Sequence, residues 1–318
     1  MKYSVIVPQG WKMDLVGISD PVKAYETMSQ YAQKVESFGY DGIWLFDHFH
    51  TVPTPTQEFT FECWTTTAAL ARDTKTIPIG QMVTCNNYRN PALLAKMAST
   101  VDVISNGRLR FGIGGGWYEH EYTAYGYDFP EVPVRLRQLR EALKIIKTMW
   151  TEKEAFFDGE FYHLHGAINQ PKGVQKPHIP ILVGGSGEKV TLKLVAQFAD
   201  ACNLSFMEPE EAKRKLAILQ DHCTTFQRDY KTILKTFLTN VSIDTDEQTA
   251  ITRAKKDPNF ARNAKGEEFI MQRSLIGTPE QIKKRIVEYE NAGIEELILY
   301  FPQDKRDESL ELFTQTVK

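Results

Sequence analysis

Residues 47 to 50 read Asp-His-Phe-His and close an aromatic run that contains Trp44, Phe46 and Phe49. An imidazole beside a carboxylate can move a proton near neutral pH. Two histidines two positions apart on a strand also point to one side and could share a metal. A catalytic metal usually needs three or more protein ligands, however. The other strand ends offer only His120, within an aromatic loop, and acids at 244, 246 and 304; His163 and His165 fall elsewhere. A functional role for Asp47 and His48 is therefore preferred to a metal site, with a polar cap on the strand end as the plainer alternative, and His50 is read as a loop residue. GIGGGW (112–117) has half the spacing of a dinucleotide fingerprint, but aromatic Trp117-Tyr118 stands where a helix should begin. Gly114, Gly115 and Gly116 read better as backbone that a large flat group can approach, although tight packing at a crowded rim explains them equally well. GGSGEK (184–189) lies between an apolar strand and a helix. There Gly184, Gly185 and Ser186 present N–H groups at a helix N-terminus, which suits a phosphate; an ordinary strand-to-helix turn is the plainer alternative. The G-K-[ST] of nucleotide-hydrolysing loops is missing. Cys85 follows Thr84 without a base to activate it and reads as a small buried residue. No G-x-S-x-G elbow occurs.

The elements that must position these groups alternate. Short apolar strands are expected at 3–8, 42–47, 77–84, 109–113, 181–183, 201–205, 237–243 and 297–301, with helices between them. Asp20-Pro21 and Asn90-Pro91 mark helix starts, and Thr278-Pro279-Glu280-Gln281 has the pattern of a capping box. The strands lack clean alternation, as expected when both faces of a parallel sheet are buried. Eight such units in 318 residues predict one α/β domain over 1–318, a (β/α)8 TIM barrel. A doubly wound sheet is second choice, because PQGWKMD after the first strand is not its glycine-rich turn. Insertions are expected near 152–179, where FFDGEFYHL (156–164) signals a hairpin, and near 246–275, a polar and poorly patterned stretch. In a barrel the active site lies where the strands end, so Asp47, His48, the triple glycine and GGSG all converge on one mouth.

Composition excludes several classes. With 42% hydrophobic and 25% charged residues, a large core is available. A net charge of −3 leaves no basic footprint for nucleic acid, and no long apolar run or polybasic tract suggests a membrane. MKYSVIVPQG is strand-like and has no signal-peptide core. Cys63, Cys85, Cys202 and Cys223 are scattered, which fits reduced thiols in a cytoplasmic protein.

Together these stretches resemble the luciferase-like monooxygenase superfamily. The features that carry it are SDPVKAYETMSQYAQKVESFGYDGIWLFDHF (19–49), RNPALLAKMASTVDVISNGRLRFGIGGGWYEHEYTAYGYDFP (89–130), GEFYHL (159–164), HIPILVGGSG (178–187) and GTPEQIKKRIVEYENAGIEELIL (277–299). The Asp-His pair is most similar to the branch that uses coenzyme F420, a 5-deazaflavin. The resemblance implies a luciferase-like barrel, usually a homodimer, with the cofactor ring in its mouth. Asp47 and His48 match a pair that contacts the ring and are the expected catalytic residues. A bulge in the third strand, often with a non-proline cis peptide, supports the ring in relatives and falls on Gln81-Met82. The implied cofactor contacts also include Thr84, Gly115, Gly116 and Trp117, with the phosphate at Gly184, Gly185 and Ser186. In the sugar-phosphate dehydrogenases of this branch a catalytic acid stands at the position of Trp117 and a tryptophan at that of Val52, so these two positions argue against a sugar phosphate; Glu119 and Glu121 are acidic candidates nearby, with no role assigned by the resemblance. Trp11, Trp117, Phe206 and part of 246–273 are expected to line the substrate space. The resulting expectation is hydride transfer between F420 and a small organic substrate, with His48 moving a proton and Asp47 orienting it or binding the ring. The alternatives are an FMN-dependent monooxygenase fed by a cofactor-reducing partner, a metal hydrolase, and a cofactor-binding protein without turnover.

Overall fold

The computed structural model describes residues 1–258, 268 and 271–318. In chain order the strands are β1 (Lys2–Ile6), β2 (Gly42–Leu45), β3 (Ile79–Gln81), β4 (Thr84–Cys85), β5 (Leu109–Gly114), β6 (Ala155–Asp158), β7 (His163–Ala167), β8 (Ile181–Gly184), β9 (Ala201–Ser205), β10 (Leu234–Ile243), β11 (Leu275–Gly277) and β12 (Glu296–Tyr300). The helices are α1 (Pro21–Ser37), α2 (Cys63–Asp73), α3 (Pro91–Ile104), α4 (Glu119–Ala124), α5 (Val132–Thr151), α6 (Thr191–Phe198), α7 (Pro209–Thr225), α8 (Glu247–Lys256), α9 (Pro279–Asn291) and α10 (Arg306–Thr316). Eight strands pair in parallel in the order β1, β2, β3, β5, β8, β9, β10, β12, and β12 pairs with β1 to close the ring. This is a (β/α)8 TIM barrel, at the strand positions the sequence predicts.

Local chemistry places the helices. Asp20 accepts hydrogen bonds from the Val22 and Lys23 N–H groups and starts α1; Asn90 does the same for α3 through Ala92. Thr278 and Gln281 form the reciprocal capping box that starts α9. The main core lies between strands and helices. A second cluster fills the barrel, with Ile6, Trp44, Phe46, Met82, Leu182, Leu238 and Ile298. At the N-terminal end of the barrel the fully buried Glu296 carboxylate is held by Ser4 Oγ at 2.5 Å and by Arg110 at 3.0 Å. A buried charge needs such partners.

The structure departs from the sequence reading in three places. The third strand is broken: β3 stops at Gln81, a cis peptide joins Met82 and Val83, and β4 resumes on β5. The cis bond thus lies one residue beyond Gln81-Met82. Helix α6 begins at Thr191, not directly after GGSG, because 188–190 form a turn in which Glu188 is drawn outward to Arg214 and Lys215 of α7. A short extra strand, β11, pairs with the end of β10. The hairpin β6–β7 sits inside the 152–179 insertion, as its Asp158-Gly159 turn predicts. Part of the 246–275 insertion forms α8 and β11, and 259–267 and 269–270 lie outside the described residues. No helix among the described residues is long and apolar enough to cross a membrane.

Candidate active site

A cavity of about 430 Å³ opens at the C-terminal ends of the barrel strands. This is within the ordinary size range of small-molecule and cofactor sites. Strand β2 ends at Leu45 and delivers Asp47 and His48 to its rim. The His48 ring stacks on Trp11 from the loop after β1, with centroids 4.0 Å apart and planes 7° from parallel. His48 Nδ1 lies 2.8 Å from Oε2 of Glu121, which is fully buried at the start of α4. The Tyr88 hydroxyl donates to the same oxygen at 2.8 Å, while the N–H groups of Phe49 and His50 donate to Oε1 at 2.6 and 2.9 Å. Burial alone would raise the Glu121 carboxyl. The hydrogen bond and charge of His48, with the two N–H groups, outweigh it and hold the carboxyl below its ordinary value. An ionised carboxylate only accepts, so Nδ1 carries the proton and Nε2 is the free nitrogen of His48.

The Asp47 carboxylate is turned to Arg89 and not to His48. It is gripped by both Arg89 terminal nitrogens, at 2.7 and 2.9 Å, and accepts the Cys85 N–H at 2.9 Å. Arg89 also bonds Glu62, the residue that caps α2. Asp47 therefore ties the end of β2 to the loop after β4 and to α2. Neighbouring His48 is oriented by Glu121 instead.

The broken third strand pushes Met82 and Val83 into the cavity. The Val83 side chain lies so close to Gly114 and Gly184 that a Cβ at either would sit 2.8 or 2.9 Å from it. Those two glycines make room for Val83, a residue the sequence reading passed over. Gly116 has a different reason: its φ is +72°, and a Cβ there would be 2.0 Å from the Tyr122 hydroxyl. Gly115, Gly116, Trp117, Gly184, Gly185 and Thr84 all line the cavity. Gln81 and Ser186 do not. Gln81 is fully buried, with its amide bonded to Thr67 of α2, and the late start of α6 moves Ser186 off the helix end. Cys85 lies 2.9 Å from the Tyr122 hydroxyl, and burial pushes its thiol up to about 12, as befits an inert residue. Each of the four cysteines is buried and unbridged.

His50 leaves the cavity and lies against His120 and Tyr125. Asp47 to His50 lie beyond the end of β2, so strand alternation does not bring the two histidines together. Among the described residues, no three His, Cys, Asp or Glu side chains gather as metal ligands. The ends of β10 and β12 also miss the cavity: Asp244 pairs with Arg253, and Asp304 lines a separate hollow with Lys12.

A sequence profile described as luciferase-like monooxygenase matches residues 1–262. The chain belongs to the luciferase-like monooxygenase family. This luciferase-like enzyme is 25% identical over 313 residues to a protein of Amycolatopsis mediterranei named F420-dependent glucose-6-phosphate dehydrogenase, covering 91% of this chain and 92% of the relative. A protein of the same name from Mycolicibacterium smegmatis is 25% identical over 315 residues, with 91% and 92% covered. Among solved structures, an F420-dependent secondary alcohol dehydrogenase in complex with an F420-acetone adduct superposes with a TM-score of 0.86 at 21% identity, covering 99% and 98% of the two chains. A coenzyme F420-dependent tetrahydromethanopterin reductase from Methanopyrus kandleri reaches 0.80 at 19% identity, with 99% and 98% covered. At these identities the superpositions speak for the fold.

Sequence reasoning names Glu119 and Glu121 as acidic candidates in this luciferase-like enzyme but does not pair Glu121 with His48, which is 73 positions away. A signal did exist: Tyr118 and Tyr125 fall three before and four after Glu121, which puts the acid on an aromatic helical face. Arg89 gave no such signal.

Proposed function

We propose that this enzyme is an F420-dependent oxidoreductase that exchanges a hydride between the deazaflavin and a small organic substrate. The observation that carries the proposal is the His48–Glu121 pair at the rim of a cavity floored by the Met82-Val83 bulge and by glycine backbone. The residues present fit the cofactor. Gly114 and Gly184 seat Val83 in the cavity floor, Gly115 and Gly185 bring backbone to the same wall, and the buried Trp11 indole N–H has no protein partner among the described residues. Met82 and Val83 would support the ring, and Gly184, Gly185 and Thr191 at the start of α6 would receive the phosphate. When bound, the deazaflavin supplies or accepts the hydride and reacts poorly with oxygen. His48 Nε2 takes or returns the accompanying substrate proton, and Glu121 stabilises the imidazolium that forms. Asp47 is a positioning residue that fixes the wall through Arg89 and Cys85. The 25% identity to F420-dependent relatives over nine-tenths of the chain supports the choice of cofactor.

The same reading takes the chain as one barrel domain that acts in the cytoplasm as a homodimer. A cofactor-reducing enzyme is its partner in a cycle.

Titrating cofactor-free protein with F420 and, separately, with FMN tests the proposal. Tight F420 binding with a spectral shift is expected; tight FMN binding coupled to oxygen uptake would instead establish the monooxygenase alternative. His48→Ala should lower turnover by about 10²–10⁴-fold while F420 still binds. Unchanged turnover would remove His48 from the mechanism.

A further inference from the structure

We propose that the substrate is an uncharged hydroxyl or carbonyl compound with a largely apolar body, and that Trp117 is the residue that selects it. This deepens the function proposed above and rests on it for the place of the reacting carbon, beside His48. Charge is the first observation. Among the described residues, no lysine or arginine lines the cavity. Arg89 lies behind Asp47, paired with it and with Glu62. Lys12 is packed among Trp11, Phe46, Phe206 and Tyr300, its ammonium 4.6 to 5.6 Å from their ring centroids, and borders the other hollow. A phosphate or carboxylate carried by the substrate beside His48, away from the N–H groups at the start of α6 that would serve the cofactor phosphate, would lose hydration without gaining a cation, which is costly.

The second observation is the wall itself. Trp11, Phe46, Met82, Phe206 and Leu238 give the cavity broad apolar faces. Hydroxyl and amide groups such as Ser205 and Asn203 can meet a neutral oxygen. The third observation is Trp117. It lines the cavity yet stays 60% exposed, stacked on Tyr118 at 5.1 Å and edge-on to His48 at 5.6 Å. A large indole left open beside the proton-transfer residue is apolar surface that a ligand over His48 would cover.

The chemistry balances. In the oxidative direction the substrate C–H bond breaks and its hydride passes to the deazaflavin. The O–H bond breaks and its proton passes to His48 Nε2, and a C=O bond forms. The substrate loses two electrons and the deazaflavin gains them; reduction runs each step in reverse.

Titration calorimetry with cyclohexanol and cyclohexyl phosphate tests this, because the two share a ring and differ in charge. Both are titrated into cofactor-free and F420-loaded protein, and the two affinities are compared in the loaded protein, where the cofactor phosphate fills the Gly184-Gly185 end. Cyclohexanol should bind roughly tenfold or more tightly than cyclohexyl phosphate. Trp117→Ala should weaken cyclohexanol about tenfold and Trp117→Phe by much less, with melting temperatures unchanged because the side chain is exposed. Equal or tighter binding of the phosphate, no binding of cyclohexanol, or an indifferent Trp117→Ala would each overturn the proposal. Protein that binds cyclohexanol but never F420 would overturn the cofactor assignment alone.

Discussion

His48 holds one ring nitrogen against Glu121 and offers the other to the cavity, and the carboxylate beneath it is saturated. Four donors converge on Glu121, two on each oxygen: the Phe49 and His50 N–H groups on Oε1, His48 Nδ1 and the Tyr88 hydroxyl on Oε2. A glutamine there has only one acceptor oxygen, and its NH2 must face a donor. We expect Glu121→Gln to cost about 1.5–3 kcal/mol of stability at neutral pH, as for hydrogen bonds to a charged group. Turnover should fall by on the order of 10²-fold. The pH dependence has a definite sign. The folded-state carboxyl lies below its ordinary value, so its contribution is fully present above about pH 4.3 and fades as pH falls through the lower folded value. Thermal melts of the two proteins should therefore differ at neutral pH and converge in acid; a constant gap would disprove the linkage. The place of Asp47 and His48 at the cavity rim was legible because polar groups at a strand end are conspicuous in an apolar run. Which acid served the histidine was not legible, since Asp47 is adjacent in sequence but turned to Arg89.

The break between β3 and β4 is the element on which the cavity floor depends. Its fit is close: a Cβ at Gly112 would lie 1.9 Å from the Gln81 carbonyl oxygen, backbone against backbone. Gly112→Ala cannot be relieved by a side-chain rotation and should destabilise the fold by about 1–3 kcal/mol or more. Denaturant melts would measure the loss, and an unchanged midpoint would show that β5 can move away from β3. Strands and helix starts were readable because apolar runs and Asp, Asn or Thr before proline act locally. The cis bond was displaced by one residue, and the role of Val83 was hidden. Its space is provided by Gly114 and Gly184, which come from other strands, and nothing local records that contact. Likewise the turn before α6 carries Glu188 to Arg214 and Lys215 of α7, a tertiary contact that nothing local records.

The whole barrel was legible for a simpler reason: eight apolar runs alternating with helices have few ways to bury themselves. The substrate is less legible, because it depends on how six loops meet. One property of the complete molecule has a practical use. Its four thiols are all buried and unbridged, and burial raises the pKa of each, to about 12 for Cys85 and Cys202. Only the thiolate attacks maleimides and disulfide reagents. The native protein should thus remain unlabelled at neutral pH, with all four sites reacting once it is unfolded. Val190→Cys, at an exposed position just before α6, would then carry the only dye on the folded molecule. That gives a fluorescent reporter beside the Gly184-Gly185 end of the cavity, with no native cysteine to remove first.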